Sequence, residues 1–298
     1  NLQIHSLLEP LGLSPEALHQ ALEQAAFRPC ASLEPETLGW DLPLGRSGQQ
    51  LTHAVSGCIM ICATRQERIL PSSVIKDAVE ERALDIEERE GRPVRRKEKL
   101  QIRDEVELEL LPRAFVRSSR TYAYIDEKNG WIIIDTPSAK RAEDLLTLLR
   151  KTLGSLKTRP IGVREAPASV MTQWLSQGAP QDIELKDECE LREPGEEGGI
   201  IRCRRQALDG EEIAIHLSAG KQVVRLAVDW EERLSLVLCD DLVVRRLKFL
   251  DLVQDEAAEA GAEDEVARFE VDFALMSLEL GRFIPRMLEI FGGAAEVA

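Results

Sequence analysis

From Arg89 to Arg103, a stretch that contains EGRPVRRKEK, seven basic residues stand against two acidic ones in a chain whose net charge is −15. Cations packed this closely repel one another. A cluster that opposes the overall charge is therefore either a hydrated helix face or loop tip, or a site for a polyanion. Arg92, Arg95, Arg96 and Lys97 form its centre. A second group, LPRAFVRSSR, supplies Arg113, Arg117 and Arg120. A third, IIRCRRQ, supplies Arg202, Arg204, Arg205 and Gln206, with Lys221 and Arg225 following. Many of these lie in strand-like or loop stretches with little adjacent acid, which suits phosphate contact by a rigid surface. A fourth group, VVRRLKF, holds Arg245, Arg246 and Lys248; its arginines are expected to bridge acids on neighbouring helices.

Other chemistries find less support. There is no helix-turn-helix spacing, zinc finger or ribonucleoprotein motif, and the aromatic content of 4% argues against a base-stacking platform. His5, His19, His53 and His216 have no companion nucleophile motif, and KTLGSLKT lacks the pattern of a phosphate-binding loop. Asp126, Asp135, Asp240 and Asp241 are conceivable ligands of a metal nuclease, yet Asp126 and the Asp240-Asp241 pair fall at turns, where aspartate is ordinary. The six cysteines lack metal-ligand pairing and read as small buried hydrophobes of a reducing cytoplasm. The expectation is a binding protein, not an enzyme, with neither cofactor nor metal.

The elements that carry these groups follow a repeated pattern. NLQIHSLL reads as a strand, and SPEALHQALEQAAF as a helix capped by Ser14 with Pro15 at its first position. Three later stretches read as strand and turn, then helix. The clearest of them has an Asn129-Gly130 hairpin turn, then a helix that Ser138 caps and Gly154 ends. Hairpins followed by helices favour an α+β fold over a doubly wound parallel sheet. Residues 1–70 and 121–180 are expected to form a sheet and helix body, residues 71–120 a projecting basic helical segment with its turn at Gly91–Pro93, and residues 181–298 a second lobe. In the projecting segment, Leu100, Val106 and Leu110 recur at roughly helical spacing, although VELELL alternates and also fits a strand. Acid is segregated into Pro180–Glu197 and the tail from Asp251. No apolar run approaches the length of a membrane span.

Phe115, an aromatic among arginines, is either a core anchor at a helix–strand junction or a plug at a subunit contact. At this point the residues resemble a known family. GWDLPLG, LTHAVSG, ERILPSSVIKDAV, SAKRAEDLLTLLRKTLGSL, DECELREPGEEGGIIRCRRQ, EEIAIHLSAGKQVVRLAVDW and FALMSLELGRFIPRMLEIFGG together look like the RdgC recombination-associated proteins of bacteria. The resemblance implies a cytoplasmic, nucleoid-associated protein with a horseshoe-shaped α+β subunit, two of which close a ring around duplex DNA. It implies binding with little sequence preference, to duplex DNA first and single strands as a further candidate, and restraint of the RecA recombinase. Carried over position by position, the family's functional residues fall on Lys76, Arg92, Arg113, Phe115, Arg205, Gln206 and Lys221. Phe115 is then expected at the homodimer interface. The alternative is a regulator acting mainly by direct contact with the recombinase through acidic patches, with a metal nuclease a distant third.

Overall fold

The computed structural model describes residues 1–195, 198–262 and 264–295. A strand that is apolar at successive positions needs cover on both faces, and Trp131-Ile132-Ile133-Ile134 is such a run. It forms β6 (Trp131–Asp135), in a sheet with β1 (Leu2–Leu7), β2 (Glu36–Asp41), β3 (Thr52–Val55), β4 (Cys58–Ile69), β5 (Phe115–Asp126) and β7 (Thr158–Pro160). The spatial order is β2-β4-β5-β6-β1-β7, with β3 also on β4, and every pairing is antiparallel. One face (Ile61, Ile125, Ile132, Ile134) packs against α1 (Pro15–Glu23) and α4 (Ala139–Leu153) through Leu18, Leu22, Leu145 and Leu149. The other face (Met60, Tyr124, Ile133) joins the core that contains the second sheet.

That second sheet holds β8 (Ile183–Arg192), β9 (Ile200–Arg204), β10 (Gln222–Trp230), β11 (Leu234–Cys239) and β12 (Arg245–Phe249), in the order β12-β11-β10-β8-β9, again antiparallel. Its core side alternates along the strands, with Val223, Leu226, Val228, Leu234, Leu236 and Leu238 buried. The two sheets meet where Leu2 and Val244 exchange backbone hydrogen bonds of 2.7 and 3.1 Å. The result is an α+β fold of antiparallel hairpins and helices, as the pattern of the sequence predicts.

Local chemistry explains the boundaries. The Ser14 hydroxyl accepts from the Ala17 amide and the Ser138 hydroxyl from the Arg141 amide, each satisfying a free amide of a first turn. In the β5–β6 turn, Gly130 has φ +72°, and Asp126 accepts from both the Asn129 amide (3.0 Å) and its side-chain nitrogen (2.7 Å). Helices α2 (Ser72–Glu90) and α3 (Arg96–Leu110) form the basic segment, and VELELL is helical, not a strand. The inward face of α3 is Ile102 and Val106, whereas Leu100 is more than half exposed. Helix α5 (Pro167–Gln177) lies in the stretch 121–180 and shares a core with the second sheet, where the Thr172 hydroxyl accepts from the Val223 amide at 2.9 Å.

After α6 (Glu211–Ser218) and α7 (Asp251–Glu259) comes α8 (Glu265–Ile290). The sequence reads this end as an acidic tail. Instead α8 buries Phe273, Leu280, Phe283, Ile284 and Met287 in the shared core and shows its acids on the other face. One acid is inside: Glu279 is fully buried and receives two hydrogen bonds from Arg233, at 2.7 and 2.8 Å. Arg233 also forks onto Glu256 of α7, so one guanidinium ties both terminal helices to the β10–β11 turn.

Candidate nucleic-acid interface

The helical hairpin is built to hold its tip. Gly91 takes φ +65°, a conformation that costs glycine little, and its amide bonds the Glu87 carbonyl at 2.8 Å. The Glu87 carboxylate accepts from the Val94 amide, and Glu98 reaches back to the Arg95 amide at the head of α3. Ile75, Ala83, Val94, Ile102 and Val106 close a small core of the hairpin's own.

With those residues inward, the cations are left outside. A groove of about 510 Å³ runs between the first turns of α2 and the face of α3, with Ile75, Val79 and Leu100 as its apolar lining and Ser72, Ser73, Lys76, Arg96, Lys99 and Arg103 as its polar lining. Arg103 pairs with Glu107 of its own helix at 2.9 Å. Among the described residues, Lys76, Arg95, Arg96, Lys97 and Lys99 make no ion pair, and all are exposed. Arg92 differs. Its guanidinium forks onto Glu98 at 2.7 and 2.9 Å and meets Glu90 at 2.7 Å, which neutralises it at the tip. Hydrogen bonds from Arg92 and from the Arg95 amide hold the Glu98 carboxyl down at about 2.

The second group lies where α3 returns to the sheet. Arg68 donates to the carbonyls of Ala31, Leu111 and Pro112, fixing the turn after α3 against β4. Arg113 in that turn is exposed and makes no ion pair among the described residues. From Phe115 to Tyr122, β5 pairs with β4 alone, because β6 joins only from Ala123 onward. On this ribbon Arg117 is bound to Glu67, its cross-strand neighbour, and Arg120 donates to the Leu42 carbonyl and to Asp41. Phe115 is 85% exposed. Of its two sequence readings, the core anchor is excluded.

The third group occupies the side of the second sheet away from the core. Strand register sets Arg202 of β9 and Arg225 of β10 on either side of Glu190 of β8. Glu190 is 5% exposed and receives Arg202 at 2.9 Å, Arg225 at 3.3 Å and Arg192 at 3.4 Å. Burial pushes its carboxyl up, but the three guanidiniums outweigh this and leave it below the usual range. Two residues along, Glu188 meets Arg246 at 2.9 Å and Arg204 at 3.6 Å. The fourth basic group thus bridges an acid on a strand, where a helix was expected. Gln206 is hydrogen-bonded to Glu212, and Lys221 is mostly covered and paired with Glu193 at 3.3 Å. Arg205, exposed at φ +54°, makes no ion pair among the described residues.

The acidic stretch that the sequence sets apart therefore supplies counter-ions to its own surroundings. Asp182 is held by Arg286, Glu184 by Lys186, Glu188 and Glu190 by arginines, and Glu193 by Lys221. Glu196 and Glu197 lie outside the described residues. The alternation Glu188, Glu190, Arg192 against Arg202, Arg204 was visible in the sequence as the mark of one strand face, but the partner strand was not.

The carboxylates weighed as a nuclease site do not converge. Asp126 serves its turn, Asp241 accepts from the Val243 amide at 3.1 Å, and Asp135 ends β6 opposite Leu2. Among the described residues there is no group of three or more His, Cys, Asp or Glu arranged to hold a metal ion, and no helix long and apolar enough to cross a membrane.

The similarity to known proteins covers almost the whole chain. The family model described as "Putative exonuclease, RdgC" matches residues 1–294. A protein of Pseudomonas entomophila (strain L48) named "Recombination-associated protein RdgC" is 45% identical over 295 residues, 98% of this chain and 96% of that one. The protein of the same name from Pseudomonas aeruginosa PAO1 is 44% identical with the same coverage. That of Aeromonas hydrophila is 43% identical over 294 residues, 98% of this chain and 97% of its own.

Proposed function

This chain belongs to the RdgC family, and on that footing we propose that it binds DNA through its basic surfaces without reading sequence, and thereby restrains RecA-promoted recombination. The observation that carries the reading is the groove between α2 and α3. In a chain with a net charge of −15, Lys76, Arg96 and Lys99 line one groove without an ion-pair partner among the described residues. Phosphodiester is the polyanion that such a surface takes at low cost, through counter-ion release. Arg95, Lys97, Arg113 and Arg205 extend the phosphate-binding set. Arg92, Arg117, Arg202, Arg204, Gln206 and Lys221 already hold carboxylates and contribute less. Two subunits form a ring around duplex DNA, with Phe115 anchoring a contact able to open, in the cytoplasm at the nucleoid. The activity is occupancy of DNA and not its cleavage.

Direct protein contact through acidic patches is the weaker reading, because Asp182, Glu184, Glu188, Glu190 and Glu193 are internally neutralised. RecA strand exchange measured with rising amounts of an inert duplex as decoy separates the two. Restraint that vanishes once the decoy is saturating supports DNA occupancy. Restraint that survives excess decoy overturns it in favour of protein contact.

A further inference from the structure

The face of β8, β9 and β10 that looks away from the core concentrates arginines around buried and half-buried carboxylates. Five guanidiniums (Arg192, Arg202, Arg204, Arg225, Arg246) surround two carboxylates. The arginine side chains are 41% to 70% exposed, while that of Glu190 beneath them is 5% exposed. Arg192, Arg202 and Arg225 each offer Glu190 one N–H within 3.5 Å, Arg204 and Arg246 turn to Glu188 instead, and a guanidinium has five N–H groups. The forks thus keep free edges toward solvent, but their charge is partly cancelled from below.

We propose that this face is a second phosphate-binding surface, with Arg192, Arg225 and Arg246 among its contacts, and that Glu190 and Glu188 set its affinity by occupying the arginines. The inference rests on the DNA-binding reading above and adds regulation to it. A carboxylate at the centre of a strand triplet cannot leave when phosphate arrives, because its own burial and the paired backbones on both sides fix it. It acts as a permanent competitor. A phosphate must share the Arg192 and Arg225 forks with Glu190 and the Arg246 fork with Glu188, so the duplex is held loosely here while the unpaired cations of the α2–α3 groove hold it more firmly. Removing the negative charge while keeping the shape releases about one further phosphate contact per chain.

The variants are Glu190→Gln and, at the less buried position, Glu188→Gln, each judged beside its melting curve. With a salt slope of about −0.9 per phosphate, one added contact raises duplex affinity roughly five- to tenfold at 0.1 M salt, and the gain fades toward 1 M. Each variant should show that gain, a slope steeper by about 0.9, and later elution from heparin, with wild-type melting. Unchanged or weakened binding by both folded variants overturns the proposal. Heparin keeps the two readings apart. If the wild type fails to bind duplex yet Glu190→Gln elutes later from heparin, the DNA reading has failed and the role of Glu190 stands. Co-elution with the wild type ends that role.

Discussion

Phe115 stands directly opposite Ile69 in the β4–β5 ladder, and both side chains lie in solvent, at 85% and 42% exposure. Apolar cross-strand neighbours of an antiparallel sheet pack against each other and normally face the core. Among the described residues nothing buries the pair, and Val116 beside them is also exposed. An exposed aromatic at the end of a two-stranded ribbon suits a small contact centred on few anchors, of the kind a ring that opens requires.

Phe115→Ser should therefore leave stability within about 0.5 kcal/mol, the usual range for a surface position. It should weaken self-association and shorten residence on closed circular DNA more than on short linear duplexes. Calorimetry with off-rates from both substrates checks this. Equal off-rates on the two, relative to the wild type, would remove Phe115 from any gate.

Free and paired cations should separate on mutation. Lys76→Glu and Arg96→Glu each lose a phosphate contact and add repulsion, on the order of 1–2 kcal/mol at modest salt. Arg205→Glu should behave alike. Arg92→Ala and Lys221→Ala should cost binding less, because Glu98, Glu90 and Glu193 already hold those charges. Affinities at one salt concentration rank the five, and a larger loss at Arg92 than at Arg96 would contradict the ranking.

The tip of the hairpin carries its own pH dependence. Folding lowers the Glu98 carboxyl from an ordinary 4.5 to about 2, so the folded chain binds fewer protons there than the unfolded one. The stabilisation is complete above pH 4.5 and is lost as the pH falls toward about 2. Arg92→Ala should return Glu98 toward the ordinary range and start the fraying of the tip at higher pH. Carboxyl NMR titration of both proteins tests it, and coincident curves would refute the assignment to Arg92.

Arg233→Met should be among the most damaging single changes. It leaves the fully buried Glu279 without its two hydrogen bonds, with only the more distant Arg282 at 3.6 Å as counter-ion, and frees Glu256, detaching α7 and α8 from the β10–β11 turn. Breaking one partner of a buried pair typically costs roughly 3–5 kcal/mol. Denaturant unfolding measures it. A loss under about 1 kcal/mol would show that Arg282 takes over Glu279, or that Glu279 takes up a proton, at little cost.

Local grammar carried most of the fold into the sequence. Ser14, Ser138, Gly154 and the Asn129-Gly130 turn act within a few residues of themselves, so their roles are readable without tertiary contacts. The helices α2 and α3 were legible for the same reason, through Pro71, Gly91 and Pro93. Long-range pairing was not. Nothing local announces that β1 joins β6 and β7, or that the acid-bearing α8 buries an apolar face between the two sheets. The site shows the same division. Positive charge is a property of composition, whereas whether a cation is free depends on a carboxylate that strand register brings beside it. Arg202 and Lys76 look alike in sequence, yet only Arg202 meets Glu190.

The central claim is that unpaired cations on this acidic chain bind phosphate without reading bases. Its most direct measurement is a salt titration of the binding constant on two duplexes of equal length and unrelated sequence. The account predicts parallel lines of log K against log salt, each falling by about 0.9 per phosphate neutralised over several phosphates, and shallower lines for Lys76→Glu and Arg96→Glu. A slope near zero, or a hundredfold preference for one duplex, would contradict it.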